Sequence, residues 1–226
     1  MLHLEEIVNR LAGVYGEPAS PPSRTLLELV LLENIAYLSD DRRREQAFLE
    51  LQTRVGTLAH QILAAPEAAL LSVAAHGILP ATFAQKLRRV AQLARDEFGG
   101  DLESLRGIPL GQATRALMQF PGIGAPGAEK ILLLGRSHPV LGLDSNGVRV
   151  LTRVGVVKEE PSYAATYRNV QSFVSTYADK GFDWLIRAHQ LLKQHGRELC
   201  KRSRPRCGRC PLNDECNYVR LLTSDV

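Results

Sequence analysis

Apolar residues recur along this chain with the three-to-four-residue period of α-helices. Near the N-terminus, Leu4, Ile7, Val8 and Leu11 fall on one helical face, which predicts an amphipathic helix over residues 3–15. Its apolar face must pack against another part of the protein. No later stretch alternates apolar and polar positions as a β-strand does, so the pattern predicts an all-α protein.

A second apolar stretch, from Thr25 to about Leu38, is too hydrophobic for a surface helix and predicts a central one. Ser23 is expected to cap it, and Gly196 is expected to end the last long helix. The mixed charges of residues 40–45 indicate the solvated start of another helix. The remaining predicted helices cover residues 48–55, 58–63, 68–75, 83–98, 110–120, 125 onward, 145–154, 163–177 and 182–195.

A glycine-rich turn separates two of these helices. Residues 120–124 read Phe-Pro-Gly-Ile-Gly, so the backbone can take positive φ at Gly122 and Gly124 while Ile123 anchors the turn in a core. Backbone amides at the start of the following helix suit a phosphate group. An ordinary turn between helices explains the same residues, and Gly-x-Gly alone does not distinguish the two.

The composition is that of a soluble globular protein, since 45% of the 226 residues are hydrophobic and 23% are charged. No apolar run approaches the roughly 20 residues that a membrane helix needs, so we expect no membrane partner and a cytoplasmic location. The net charge of +4 permits a nucleic-acid partner where basic residues cluster. They do cluster, near the C-terminus.

All four cysteines lie close together, with the spacing C-x6-C-x2-C-x5-C. Such confinement indicates a metal or cluster site in a reducing compartment rather than a disulfide framework. Four thiolates suit either tetrahedral zinc or an iron-sulfur cluster. A zinc ribbon usually has two C-x2-C pairs and this chain has one, which favours the cluster. The candidate ligands are Cys200, Cys207, Cys210 and Cys216.

The loop between the first two cysteines is strongly basic. A rigid metal centre beside it would present these charges to a phosphate backbone. The alternative is a solvated run of charges without a partner. The residues concerned are Lys201, Arg202, Arg204 and Arg206.

Together, the glycine turn, the aspartate downstream of it and the cysteine spacing resemble the endonuclease III branch of the helix-hairpin-helix (HhH-GPD) DNA glycosylases. The resemblance spans nearly the whole chain, and the cysteine spacing is a specific signature of that family's [4Fe-4S] cluster. Residues 120–124 correspond to its Leu-Pro-Gly-Val-Gly hairpin. Residues 140–144, Val-Leu-Gly-Leu-Asp, correspond to the segment that ends in its catalytic aspartate.

The resemblance implies two all-α domains that flank a DNA-binding groove. Residues 23–136 would form a six-helix barrel with the hairpin, and residues 1–22 plus 137–226 a cluster domain with its cluster loop at 200–216. The expected partner is double-stranded DNA with a damaged or mismatched base, flipped into a pocket at the cleft. We expect a monomer, associated with the nucleoid if the source is prokaryotic.

The resemblance also assigns site residues. Asp144 would be catalytic, by stabilising the cation-like sugar or by activating a water. As an alternative, Asp144 caps the next helix, and the two roles can coexist. Ile78 and Leu79 would wedge into the opposite strand, unless they are ordinary loop packing. The hairpin residues expected to contact DNA are Pro121, Gly122, Ile123 and Gly124.

The chain departs from the family pattern at several positions. Bifunctional members carry a lysine two residues after the second hairpin glycine, and its amine forms a Schiff base. Here Pro126 stands in that place, which predicts base removal without strand cleavage. Ser-Asn follows the aspartate where many relatives have Thr-His, and the glutamine with which relatives fill the gap left by a flipped base has no clear counterpart, Asn34 being the nearest candidate. The candidate pocket residues are Asn34, Tyr37, Asn146 and Lys130. Asn34 and Tyr37 could instead belong to the core or to a helix surface, and Lys130 is either within reach of the site or a surface lysine.

We therefore expect a monofunctional DNA N-glycosylase of base excision repair. The alternatives are a bifunctional glycosylase/AP lyase that uses another amine, a catalytically silent lesion-binding protein with an iron-sulfur cluster, and a zinc-binding structural protein. No motif in the sequence encodes which base is excised.

Overall fold

The computed structural model describes residues 2–36 and 40–224, and every regular element among them is a helix. This confirms the predicted all-α class. Tyr37, a predicted pocket residue, lies outside the described residues. None of the described helices is long and apolar enough to cross a bilayer.

The α-helices of this part of the chain are α1 Leu4–Tyr15, α2 Leu26–Ile35, α3 Asp41–Arg54, α4 Ala59–Ala64, α5 Glu67–Ala74, α6 Pro80–Phe98, α7 Leu110–Leu117, α8 Ala125–Leu134, α9 Ser145–Val154, α10 Tyr163–Val174, α11 Gly181–Glu198 and α12 Asn217–Ser224. Short 3-10 helices occur at Glu103–Gly107, Ser175–Lys180 and Cys207–Arg209.

The chain forms two compact units. Residues Ser23–His138 make the first, here called the hairpin unit. Residues Met1–Pro22 and Pro139–Val226 make the second, here called the cysteine unit. Each has its own apolar core, so each is described separately.

Helix α2 is the centre of the hairpin unit. It packs against α3, α6 and α8, and its side chains at Leu26, Val30 and Leu31 are fully buried. The helix is capped by Thr25, whose hydroxyl accepts the amide of Glu28 at 3.2 Å while the Glu28 carboxylate accepts the amide of Thr25 at 2.9 Å. The predicted cap at Ser23 is therefore wrong, because the reciprocal Thr-x-x-Glu pair satisfies two free amides two residues later.

Helix α11 is the centre of the cysteine unit. The predicted face of α1 packs on it, and Leu4, Ile7 and Leu11 are completely buried. The predicted helix end at Gly196 is wrong, since α11 continues to Glu198. Gly196 instead permits close packing against α9, because a Cβ at this position would lie 2.7 Å from the backbone oxygen of Asn146.

Candidate functional site

The glycine turn joins α7 to α8 in the hairpin unit. Ile123 is 6% exposed and anchors the turn, as predicted. Only Gly122 takes a left-handed conformation, with φ of 69°, whereas Gly124 is extended with φ of −97° and is the N-cap of α8. The prediction of positive φ at both glycines is therefore wrong for Gly124. No described side chain caps α8, so amides of its first turn remain available to an anion.

Two polar side chains lie beside Gly122. A Cβ at this glycine would lie 3.8 Å from both the Lys86 Nζ and the Asn34 Oδ1. Asn34 is only 3% exposed, and its amide donates to the carbonyl of Val30 at 3.0 Å. Lys86 escaped the sequence analysis because no motif marks it. Its place on α6 becomes informative only when α6 packs against α2 and the turn lies beside it.

Lys130 is engaged in an ion pair within the hairpin unit. Its Nζ lies 2.7 Å from a carboxylate oxygen of Glu33, and the two side chains are only 17% and 23% exposed. This contact holds the side chain against Glu33 of α2, so Lys130 is not a free surface lysine.

Ile78 and Leu79 form an exposed apolar tip between α5 and α6. They are 62% and 55% exposed, respectively. Side chains of this size are usually withdrawn from water, so two adjacent exposed ones are available for an apolar contact.

Asp144 lies at the N-terminus of α9 in the cysteine unit. Its Oδ1 accepts the backbone amides of Asn146 and Gly147, each at 3.0 Å. Its Oδ2 accepts the side-chain amide of Asn146, also at 3.0 Å. The capping role is therefore present, and the Oδ2 atom retains a lone pair for a further partner.

These contacts keep Asp144 ionised. Burial raises the pKa of Asp144, but hydrogen bonds from Asn146 and Gly147, with smaller effects of His189 and Lys193, hold it below the ordinary value of 3.8. Because the folded-state pKa is the lower one, the stability that this carboxylate contributes is complete above pH 3.8. It is lost only as the pH falls through the folded-state value.

A hydrogen-bonded chain leads from Asp144 to the cysteine loop. The side-chain oxygen of Asn146 accepts from Arg149 Nη2 at 2.8 Å. The same guanidinium donates to the carbonyls of Gly196 at 2.7 Å and Cys200 at 2.8 Å. Burial lowers the pKa of Arg149. Sequence reasoning missed Arg149, although its spacing of three from Asn146 places both on one face of α9.

The four cysteines are free thiols in one loop of the cysteine unit. Arg153 Nη1 donates to the sulfur of Cys200 at 3.6 Å, and the amide of Leu212 donates to the sulfur of Cys210 at 3.4 Å. Burial raises the pKa of Cys210 to about 11. N–H groups directed at sulfur suit a thiolate-bound metal centre. In the part of the chain that is described, however, no three His, Cys, Asp or Glu side chains converge closely enough to hold a metal ion.

The basic loop is attached to α9 by its backbone. Arg153 donates to the carbonyls of Lys201 at 2.7 Å and Arg202 at 3.1 Å, and its guanidinium lies 4.5 Å from the ring centroid of Tyr218. The side chains of Arg202, Arg204 and Arg206 are exposed, and Lys201 is half-buried. The loop thus presents three arginines to solvent from an anchored backbone.

A cavity of about 610 Å³ opens beside α9 within the cysteine unit. Tyr163 on its wall is 48% exposed, and the pKa of this residue is raised by burial and by the charge of Asp144. The phenol therefore feels the charge of the aspartate, a coupling that the sequence alone did not suggest. Six of the lining residues are Ser145, Arg149, Arg153, Glu159, Tyr163 and Arg202.

Comparisons with known sequences and with solved structures point to the same group of proteins, although no family model matches the chain. The chain is 32% identical over 104 residues to endonuclease III of Rickettsia conorii, a match that covers 46% of each protein. It is 30% identical over 129 residues to DEMETER-like protein 3 of Arabidopsis thaliana, covering 52% of this chain and 12% of that protein. The chain thus spans less than half the length of these relatives.

The fold comparison covers far more of the chain. A trapped endonuclease III–DNA covalent intermediate superposes with a TM-score of 0.75 at 20% identity, covering 99% of this chain and 100% of the other. Identity this low establishes the fold alone. The chain resembles the endonuclease III-like DNA glycosylases, in sequence over about half of its length and in fold over nearly all of it.

Proposed function

We propose that this protein is a monofunctional DNA N-glycosylase that hydrolyses the bond between deoxyribose and a damaged or mismatched base in duplex DNA. The observation that carries the proposal is the ionised, half-buried Asp144 at the N-terminus of α9, in a chain that resembles endonuclease III. Its geometry provides a fixed negative charge with a free lone pair. The expected physiological role is base excision repair.

Departure of a base leaves positive charge on the sugar, and a carboxylate aimed at that charge lowers the barrier. Three hydrogen bonds already hold the Asp144 carboxylate, so little reorganisation is needed during the reaction. The same carboxylate can orient the attacking water through Oδ2. Asn146 does not titrate, so its part is to hold Asp144 rather than to transfer a proton.

DNA binding would use three separate features. The amides of Gly122 and Gly124 and those at the start of α8 would hold a phosphate, helped by the ammonium of Lys86 beside Gly122. The Ile123 amide already donates to the carbonyl of Phe120 at 3.2 Å. The arginines of the cysteine loop would bind a second stretch of backbone. Ile78 and Leu79 would insert as an apolar wedge where the base leaves the stack. Pocket roles for Asn34, Asn146 and Lys130 remain predictions, and Asn34 would have to leave its bond with Val30 to reach a base.

We further propose that the four cysteines bind a [4Fe-4S] cluster. The donor set, the family resemblance and the N–H groups directed at Cys200 and Cys210 support it. Bound there, the cluster would cross-link the basic loop to the rest of the cysteine unit. The catalytic proposal does not depend on it.

The absence of lyase activity is expected from two positions on α8. Pro126, in the first turn, has no side-chain amine. Lys130, one turn later, is paired with Glu33 at 2.7 Å, so its amine would have to leave this ion pair before it could attack the sugar. An amine elsewhere in the chain is the alternative, and it would make the enzyme bifunctional.

A panel of lesion duplexes tests this proposal. We expect base release from at least one duplex, with strand breaks only after alkali. The panel should contain uracil, thymine glycol, hypoxanthine, alkylated purines and adenine opposite oxidised guanine. Scission without alkali, together with a borohydride-trapped complex, would establish the bifunctional alternative. Tight lesion binding without release of any base would establish the silent binding protein.

Substitution of Pro126 by lysine is expected to give the enzyme AP lyase activity. Pro126→Lys restores an amine two residues after Gly124, so we expect a borohydride-trapped enzyme–DNA complex and strand scission without alkali. Pro126→Met is the matched control, because it also removes the proline but supplies no amine. Equal trapping by the wild type and both variants would contradict the assignment of position 126.

Substitution of Gly122 by alanine is expected to disturb the hairpin. A residue with a Cβ in the left-handed region is destabilised by about 1–2 kcal/mol. The atoms nearest to the added methyl group are 3.8 Å away, so the expected loss of stability comes from backbone strain rather than from a steric clash. Gly122→Ala should lower the melting temperature and weaken binding to a duplex with an abasic-site analogue, measured by fluorescence anisotropy.

Gly13→Ala is the matched control for Gly122→Ala. Gly13 lies inside α1 of the cysteine unit, where nothing would lie within 4 Å of an added Cβ. Alanine there should stabilise by about 0.5–1 kcal/mol and leave DNA affinity unchanged. Wild-type affinity in Gly122→Ala would show that the hairpin does not hold a phosphate.

A further inference from the structure

The segment that leads into Asp144 is buried without belonging to a helix. Leu141 and Leu143 are 1% and 0% exposed, and Gly142 is also buried. Within the segment, one backbone bond joins the amide of Gly142 to the carbonyl of Val140 at 3.0 Å. Buried carbonyls outside regular structure must find other donors, because a buried carbonyl without a hydrogen bond destabilises the fold.

Two side chains from different helices supply these donors. Gln171 on α10 donates its Nε2 to the carbonyl of Leu141 at 3.0 Å. His189 on α11, itself 3% exposed, contacts the carbonyl of Gly142 through Nδ1 at 2.7 Å. Since a carbonyl only accepts, the Nδ1 atom of His189 carries the hydrogen.

These contacts lie two and three residues before Asp144. The carboxylate is attached to α9 by its own three hydrogen bonds, whereas Gln171 and His189 attach the preceding backbone to α10 and α11. The direction of the Cα–Cβ bond of Asp144 thus depends on three helices. Because misplacement by about 1 Å can cost 100-fold in rate, such anchoring bears directly on catalysis.

We propose that Gln171 and His189 are positioning residues for Asp144, an inference that rests on the proposed glycosylase function. They contact the backbone of the segment and not the reacting atoms. Their contribution is therefore to the rate of base release at a given DNA affinity. A role confined to satisfying buried carbonyls would change stability without changing the rate of the folded enzyme.

The test compares Gln171→Met, His189→Leu and His189→Asn. Methionine and leucine keep volume without a donor, whereas asparagine keeps a donor near the Nδ1 position. Gln190→Met is the control, because Gln190 likewise donates to a carbonyl, that of Ala19 at 2.9 Å, but does not contact the segment. The measurements are single-turnover base release, duplex affinity and amide hydrogen exchange of residues 139–147.

We expect Gln171→Met and His189→Leu to slow single-turnover release by about 10- to 100-fold with unchanged duplex affinity and faster exchange of residues 139–147. His189→Asn should recover most of the rate, and Gln190→Met should match the wild type. Gln171 is only half-buried, so its variant decides the question if His189→Leu does not fold.

Unchanged rates in folded Gln171→Met and His189→Leu would overturn the proposal, as would losses of rate that merely follow losses of affinity. If the wild type releases no base from any duplex, the glycosylase proposal fails instead. Hydrogen exchange then still reports on the anchoring, and exchange at the wild-type rate in both variants would overturn it.

Discussion

Asp144→Asn is expected to lower the single-turnover rate of base release by at least about 100-fold, the lower end of what a positioned carboxylate contributes. The substitution removes the negative charge but keeps an acceptor for the backbone amides of Asn146 and Gly147. Asparagine is as good an N-cap as aspartate. The bond from the Asn146 side chain is lost, which costs about 1 kcal/mol. Duplex affinity and helix content should therefore change little.

Asp40→Asn is the matched control for this variant. Asp40 caps α3 by accepting the amide of Arg43 at 2.8 Å, so the same exchange is made at another N-cap. Its activity should equal that of the wild type. Full activity of Asp144→Asn would exclude a catalytic charge at this position and leave Asp144 only its capping role.

Cys207→Ser is expected to abolish cluster binding and to lower the melting temperature of the protein. Cluster protein purified without oxygen should be brown and hold about four irons per chain. No described hydrogen bond involves the Cys207 thiol, in contrast to those of Cys200, Cys210 and Cys216. Replacement of this thiol therefore costs little apart from the metal, so a large loss of stability would report the missing ligand.

Ser203→Ala is the control for the cysteine variant, because Ser203 is an exposed residue of the same loop. It should keep both the colour and the iron content. Colourless wild-type protein with one bound zinc would contradict the cluster and support a zinc site, since both metal centres use four thiolates.

Local sequence signals account for the helical class and much of the site. The periodicity of Leu4, Ile7 and Leu11 predicted α1, and their burial confirms it. The position of Asp144 before α9 predicted its capping role, because an aspartate at a helix start competes for free amides within three residues. The errors at Ser23 and Gly196 have different causes. Thr25 was a better local cap, and Gly196 serves a contact with a distant helix rather than its own helix end.

The sequence alone determined the helices, the hairpin motif and the cysteine spacing, because each depends on residues close together in the chain. Only the tertiary structure placed Lys86 beside Gly122, paired Glu33 with Lys130, and brought Gln171 and His189 to the backbone before Asp144. These contacts join residues that are separated by 30 or more positions, and helix packing decides them. No local pattern of charge or hydrophobicity specifies such pairs, because the residues next to a glutamine or histidine in sequence do not indicate which distant carbonyl its side chain binds. Asp144 is therefore recognisable from its neighbours in sequence, while what holds it in position is visible only in the fold.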